Sequence, residues 1–401
     1  MKKSILGITM AIIVFMLVLT ACGGSQPSSG GTSSKGNDSG KQAGQSGGDS
    51  AQSGGTVKIG ALGDLSGKSA LSGKFKKMGI DLALEEINAA GGILGKKLEV
   101  VFQDTQGTQQ GAVGAFQKLV SDKDIVAVIG SIRSTNVQAT DSFAKKAGIP
   151  VAIGGTNVGL TTKLGDKWYF RFRPHDGYAA KSIAEFSAKK LGYKKIAIIY
   201  DSDAFGSGGK DLLLQNYKEM GIEPVAVESY NTGNKDFTPF LQKFADKGAE
   251  AVNTYMTNSE DAGQMVNQIH EKGFKYQLIG SPSLAQEVTL KISGDNLNGV
   301  YSVNDFAADQ SDATIAFVKK FKAKYNETPD VYTAWVYDAL HVFAKVINEK
   351  KSTKPDDIRD GILAIKNYDG AEGNYTFDAN GDGLHSYSIV KVEGGKIVTV
   401  H

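Results

Sequence analysis

A single cysteine, Cys22, stands in 401 residues, so the chain can form no internal disulfide and no thiolate metal site. Any stability outside the cytoplasm has to come from the core. Charge of one sign is also lacking: 45 Lys and Arg against 43 Asp and Glu give +2, and removal of Lys2 and Lys3 brings the rest to zero. That excludes the basic field on which nucleic-acid binding depends. The five histidines, His175, His270, His341, His385 and His401, show no metal-ligand spacing. No HExxH pair, serine triad on a plausible elbow or paired catalytic carboxylates stands out, so nothing argues for an enzyme, a metal or a cofactor. The apolar run Ile5–Leu19 is too short and wrongly flanked for a spanning helix.

That run follows Lys2 and Lys3 and is closed by Leu19-Thr20-Ala21-Cys22, the pattern of a bacterial lipoprotein export signal. Lysines hold the start on the cytoplasmic side, and small residues admit the peptidase. Residues 1–21 are thus expected to be removed and Cys22 to become a lipidated (palmitate-type) first residue. The body would then sit on the extracytoplasmic face of the cell membrane, a Gram-positive surface being favoured over a periplasm; the alternative is an uncleaved anchor. Residues 22–55 contain the lipidated cysteine and a stretch of mostly Gly, Ser, Gln, Lys, Asp and Asn, with no aromatic or branched aliphatic residue. Such a segment cannot bury a core and behaves as a coil of roughly 30 Å root-mean-square span. Within it Gly44-Gln45-Ser46-Gly47-Gly48 formally matches a serine-hydrolase elbow, but that motif needs a strand before it and a helix after it.

After Gly55 short apolar strands alternate with amphipathic helices. Val57–Leu62, Leu98–Gln103, Ile125–Ile129 and Val151–Ile153 read as strands, with helices at Phe75–Ala90, Gln109–Val120 and Asn136–Ala147. A second series has strands at Lys195–Tyr200, Val225–Ser229, Ala251–Tyr255 and Tyr276–Ile279, and helices at Ala179–Lys190, Lys210–Met220, Phe237–Asp246 and Ala262–Lys272. Two or three helices follow from about Asp312, then β-like segments at Gly373–Phe377, Ser386–Val392 and Lys396–Val400. The pattern predicts an α/β protein with two doubly wound parallel sheets, whose ligand lies in the crevice outside the strand C-terminal ends.

Two loops imitate known motifs. Gly63-Asp64-Leu65-Ser66-Gly67-Lys68-Ser69 is one residue short of the phosphate-cradling loop, so a loop that brings backbone close to a small ligand is expected instead. Asp378-Ala379-Asn380-Gly381-Asp382-Gly383 opens like a calcium loop, but its twelfth position is Ile389 rather than glutamate, and Asn-Gly and Asp-Gly favour a hairpin turn.

From Val57 to about Val392 the chain resembles the leucine/isoleucine/valine-binding protein family, type I solute-binding receptors of ABC importers. The residues carrying this are Lys58-Ile59-Gly60 with Leu65-Ser66-Gly67, Glu85-Glu86-Ile87-Asn88-Ala89-Ala90-Gly91-Gly92-Ile93-Leu94-Gly95, Val128-Ile129-Gly130, Gly148-Ile149-Pro150, Thr156-Asn157 with Leu160-Thr161, Phe170-Arg171, Ile196-Ala197-Ile198-Ile199-Tyr200-Asp201 and Asp236-Phe237. Their collinear order is what identifies the family. The resemblance implies a type I periplasmic-binding-protein fold of two lobes joined by a three-crossing hinge, lobe one at 56–175 plus 304–383 and lobe two at 176–303 plus 384–401. It further implies a monomer that captures an amino acid or related solute and delivers it to ABC permease and ATPase subunits. Delivery to a membrane sensor shares the fold, amides, urea or small aromatic acids are alternative solutes, and an extracellular enzyme is the least favoured class.

Carried over position by position, the family's carboxylate-holding serine falls at Ser134, and its backbone group and threonine at Gly154, Gly155 and Thr156; helix N-capping is the competing role for Ser134 and Thr156. Ser72 is included among the implied ligand-binding positions. The aromatic before glycine is Phe205, lacking a phenolic hydroxyl, and the next aromatic position is Asn258. The acid that many members set against a ligand ammonium falls at Pro282, which cannot pair a cation. Either Asp176, Asp203 or Asp305 replaces it, or the ligand has no α-ammonium. Arg133 is either a carboxylate fork or a solvated surface residue.

Overall fold

The computed structural model describes residues 55–400; Cys22, the signal segment and nearly all of the linker lie outside the described residues. Sheet one contains β1 (Thr56–Gly63), β2 (Lys97–Asp104), β3 (Ile125–Ile129), β4 (Val151–Ile153) and β5 (Tyr169–Arg171), all parallel in the order β2-β1-β3-β4-β5. Its crossovers carry α1 (Ala70–Ala89), α2 (Gln109–Ser121), α3 (Ser134–Ala147) and the single turn α4 (Gly159–Thr162). Strands covered on both faces need no polar side, which is why they are near-continuous apolar runs. Ile59, Ala61 and Ile129 are buried on one face, and Leu62, Val128 and Ile153 on the other. Helix α1 stops at Gly91 and Gly92, whose φ of +100° and +76° suit glycine.

Sheet two follows after α5 (Asp176–Glu185), through β6 (Ile196–Asp201), α6 (Ala204–Glu219), β7 (Ala226–Tyr230), α7 (Thr238–Asp246), β8 (Ala251–Tyr255), α8 (Ser259–Glu271), β9 (Gln277–Gly280), α9 (Glu287–Ser293) and β10 (Tyr301–Asn304). The chain then returns to sheet one. Helices α10 (Asp312–Tyr325), α11 (Val331–Lys350) and α12 (Pro355–Leu363) precede the short ribbon β11 (Tyr368–Asp369) and β12 (Asn374–Tyr375). Trp335, Phe343 and Ile347 of α11 share a core with Ile59 and Ala61. The close packing needs Gly79 on α1, where a Cβ would lie 2.3 Å from the Thr333 carbonyl oxygen. Finally β13 (Ser388–Glu393) and β14 (Lys396–Thr399) complete sheet two antiparallel, in the order β14-β13-β10-β9-β8-β6-β7.

The chain therefore passes between the two groups of elements three times, near 172–175, 305–311 and 384–387. Arg173 in the first passage binds Asp305 in the second, and Tyr387 in the third donates to the Pro174 carbonyl at 2.8 Å.

Two expectations change and one holds. The β segment expected over Gly373–Phe377 shrinks to Asn374–Tyr375 in its own ribbon. Strands β5 and β10 are additional, being too short and too polar, with Arg171, Ser302 and Asn304, to stand out as apolar runs. The turn expected at Asp378–Gly383 is formed, and its outer carboxylates are taken by protein donors, one inside the turn and one outside it. Asp378 accepts the Asn380 and Asp382 N–H groups at 2.9 Å, while Asp382 receives Arg171 Nε at 2.9 Å and the Thr161 hydroxyl.

Candidate functional site

The loops after β1, β3, β4, β8 and β9, together with the start of α11, meet around one cavity of about 40 Å³ between the lobes. That is room for about three waters. On the lobe-one side Arg133 Nε donates to Asp64 Oδ2 at 2.7 Å, and the other Asp64 oxygen accepts the Thr105 hydroxyl. Arg133 Nη2 donates to Ser69 Oγ and, across the cleft, to Asn258 Oδ1. Its backbone N–H is fixed on Ser131 Oγ at 3.0 Å. Burial works against this guanidinium, but the charge and hydrogen bond of Asp64, with the charges of Asp203 and Tyr332, together outweigh it and raise its pKa, so it stays charged.

A second guanidinium, Arg173, is bidentate to Asp305, with Nε at 2.6 Å and Nη2 at 3.1 Å, and gives Nη1 to the Gly154 carbonyl at 3.2 Å. Glu372 Oε1 lies 3.8 Å from Arg173 Nε; burial and then the neighbouring Asp305 charge push the Glu372 carboxyl well up.

Further contacts join the lobes across the opening. Ser72 donates to Glu260 Oε1 through its N–H at 3.4 Å and its hydroxyl at 3.2 Å. Asn157 Nδ2 donates to the Ala204 carbonyl at 2.9 Å, and Ala204 N–H donates to Thr135 Oγ1 at 2.9 Å. The hydroxyls of Tyr332 and Ser259 are 3.1 Å apart. Ile132, Val331, Met256, Phe205 and Pro282 supply the apolar wall, and Phe205 leans on Tyr255 with ring centroids 4.9 Å apart.

Of the positions the sequence nominated, Ser72, Arg133, Thr156, Phe205 and Asn258 line this cavity, and Pro282 lies beside them. The other six lie behind the wall. Ser134, first residue of α3, accepts the Asn157 N–H at 3.2 Å. Gly154 and Gly155 are tightly packed, where a Cβ would come within 2.7 Å of the Trp335 ring and 2.8 Å of Leu160 respectively. Asp203 caps α6 through the Gly206 N–H at 2.8 Å and accepts the Thr257 hydroxyl at 2.8 Å. Asp176 is buried and accepts the Tyr255 hydroxyl at 3.1 Å, and Asp305 is taken by Arg173. Arg133, at 7% exposure, is no solvated surface residue.

The near-miss phosphate loop also has a definite job. Its N–H groups from Leu65 and Ser66, at 2.9 and 3.3 Å, with the Ser66 hydroxyl, enclose the carboxylate of Asp104. The cradle is filled by the protein's own anion, and the loop thereby aims Asp64 and Ser69 at Arg133. Sequence reasoning passed over Asp64, Ser69, Arg173, Ser283 and Tyr332. Asp64 and Ser69 were discernible only as members of that loop; Arg173 and Tyr332 carried no signal.

The family model described as periplasmic binding protein matches residues 56–396. The chain is 30% identical over 347 residues to Leu/Ile/Val-binding protein homolog 3 of Brucella melitensis, covering 85% of this chain and 93% of that one. It is 26% identical over 345 residues to the leucine-, isoleucine-, valine-, threonine- and alanine-binding protein of Pseudomonas aeruginosa, covering 86% and 91%. Among solved structures, the branched-chain amino acid transporter substrate binding protein LivJ of Streptococcus pneumoniae, in complex with isoleucine, superposes with a TM-score of 0.79 at 28% identity, over 86% of this chain and all of that one.

Proposed function

The chain belongs to the periplasmic binding protein family, and from that premise we propose that it is the extracytoplasmic solute receptor of an ABC importer, closing two lobes on an amino acid or a related small solute. The observation that carries this is the Arg133–Asn258 contact: a buried cation of lobe one reaches across the cavity to lobe two. A solute shifts the open–closed equilibrium only as far as it contacts both lobes better than one. Lobe one offers a guanidinium and the Thr156 hydroxyl to an oxygen end. Lobe two holds its acids one hydrogen bond behind the wall, Asp203 through Thr257 and Glu260 through Ser72. This polarity suits a zwitterion, although Pro282 removes the usual place for an ammonium partner. The lobes are taken as 56–175 plus 304–383 and 176–303 plus 384–401, acting as a monomer that hands solute to a permease without turning it over.

A thermal-shift screen of the full chain in detergent against leucine, isoleucine, valine, threonine, alanine, amides, urea and small aromatic acids tests the reading. A true solute at a hundredfold excess over its dissociation constant adds about 2.7 kcal/mol. Failure of the whole panel would count against it. The lipid anchor at Cys22 is tested by fatty-acid labelling, since label retained in Cys22→Ala would refute the anchor.

A further inference from the structure

A second cavity, of about 330 Å³, lies beside the second hinge crossing and shares no lining residue with the cleft. Its walls come from lobe two at Gln286, Glu287 and Ile397, from the crossing at Phe306, and from lobe one at Pro329 and Asp330. A space of this size, with apolar walls and a few polar groups, is built like a small-molecule site. Its polar groups are acceptors that lack donors. Gln286, 1% exposed, gives Nε2 to the Pro282 carbonyl at 2.8 Å and to Asn304 Oδ1 at 3.2 Å, while its Oε1 has no partner among the described residues. Asn304 also lines the cavity, so the amide end of Gln286 sits in its wall. Asp330, 3% exposed, caps α11 by accepting the Tyr332 N–H at 2.9 Å on Oδ1, and its Oδ2 is likewise without a partner.

Charge points the same way. Burial, and then the charge of Glu287, hold the Asp330 carboxyl well above its usual range, and burial pushes Glu287 up to about 7. Lys291, whose charge acts most on Glu287, is bound to Glu327 at 2.6 Å, and Lys322 and Lys396 stand exposed at the rim. Two acids and an amide oxygen thus border one space that supplies them no cation. Among the described residues no further acid or histidine joins them in a cluster that could hold a metal ion. An organic ion with several N–H donors meets the acceptors, and its carbon body can lie on Phe306, Leu290 and Ile397.

We propose that this cavity is a second ligand site, taking a small hydrophobic ammonium ion, an alkyl- or arylamine, between Gln286 and Glu287 of lobe two and Asp330 of lobe one. Its occupant and a solute in the cleft touch the same two segments from opposite ends. Asp330 runs directly into Val331 and Tyr332, and Gln286 holds the Pro282 carbonyl; Val331, Tyr332 and Pro282 all line the cleft. Binding at either site is thereby placed to bias the other, by the same factor in both directions. Benzylammonium chloride is the probe, with sodium chloride of equal ionic strength and benzyl alcohol as references, at about pH 8, where the amine is charged. Thermal unfolding of the full chain in detergent should move upward with benzylammonium alone. Glu287→Gln, which keeps the size and leaves the α11 cap in place, should weaken the apparent affinity by about tenfold or more. Amide hydrogen exchange should slow over residues 282–290 and 328–333, and not in the cleft loops 64–69 and 256–258. An upward shift no larger than that of benzyl alcohol or sodium chloride overturns the site, as does unchanged affinity in Glu287→Gln. Protection confined to the cleft loops overturns it as well, because the amine then occupies the place of the solute. Should Glu287→Gln fail to fold, the exchange map and the alcohol reference decide alone.

Discussion

Arg173 and Asp305 lie on different crossings of the hinge and meet through two hydrogen bonds, at 2.6 and 3.1 Å, in a place neither can leave for water. Removing one partner strands the other. Arg173→Met leaves Asp305 buried without a cation and should cost about 3–5 kcal/mol. Replacing both, as Arg173→Met with Asp305→Leu, should recover part of that loss. Urea unfolding of the two variants measures it, and a single-variant cost below about 1 kcal/mol would mean that water reaches the pair.

Stability should fall as pH rises from about 4 to 7, in part through Asp176. One of its oxygens accepts the Tyr255 hydroxyl while the other has no partner among the described residues. Burial pushes its pKa up to about 6, opposed by Thr156 and the charge of Arg171. A folded value above the unfolded one favours the neutral acid. Its contribution is therefore complete below pH 4 or so and is lost as pH passes through about 6. Asp176→Asn should flatten the decline by on the order of 2–3 kcal/mol. Parallel wild-type and variant slopes would show that Asp176 ionises freely.

Two glycines should respond to alanine in opposite directions. At Gly79 a methyl group meets the Thr333 carbonyl, so Gly79→Ala should destabilise by about 1–3 kcal/mol despite the better helix propensity. At exposed Gly114 on α2 nothing lies within 4 Å, and alanine there should stabilise by about 0.5–1 kcal/mol. Paired denaturation curves decide, and a neutral Gly79→Ala would show that α1 and α11 separate easily.

Solute affinity should depend on contacts that exist only when the lobes meet. Ser72→Ala removes the hydroxyl that reaches Glu260 and should weaken binding by about 0.5–1.5 kcal/mol, or two- to tenfold. Phe205→Ala should cost at least as much, because it removes part of the wall and its packing on Tyr255. Calorimetry with the solute selected by the screen measures both. Unchanged affinity in Ser72→Ala would mean that the Ser72–Glu260 contact contributes nothing to closure.

Much of the fold was legible because buried parallel strands must be apolar on both faces, so Ile125–Ile129 and Val151–Ile153 announce themselves. The return of Trp335 and Phe343 to the first sheet was readable only from the family resemblance, since no local pattern states which sheet a helix covers. At the site, Thr156 and Phe205 were found by carrying over the family's pocket positions, and Arg133 as a guanidinium beside one of them. The aspartates were harder, because composition cannot say that Asp203 is spent on capping or Asp305 on Arg173.

The interleaving of the two lobes bears on how the molecule is made. A chain emerging from its N-terminus delivers all five strands of sheet one early, but Trp335, Phe343 and Ile347, which share a core with Ile59 and Ala61, come only after β6 to β10 have followed. Sheet two in turn waits for β13 and β14 at the far end. Neither half can be finished while the other is still being threaded, and contacts this distant in sequence form slowly. Ile59, Ala61 and Ile129 have only part of their cover, from Ile80, Ala83 and Ile87 of α1, until α11 is made, and apolar surface left open for that long is where such a chain is most prone to aggregate.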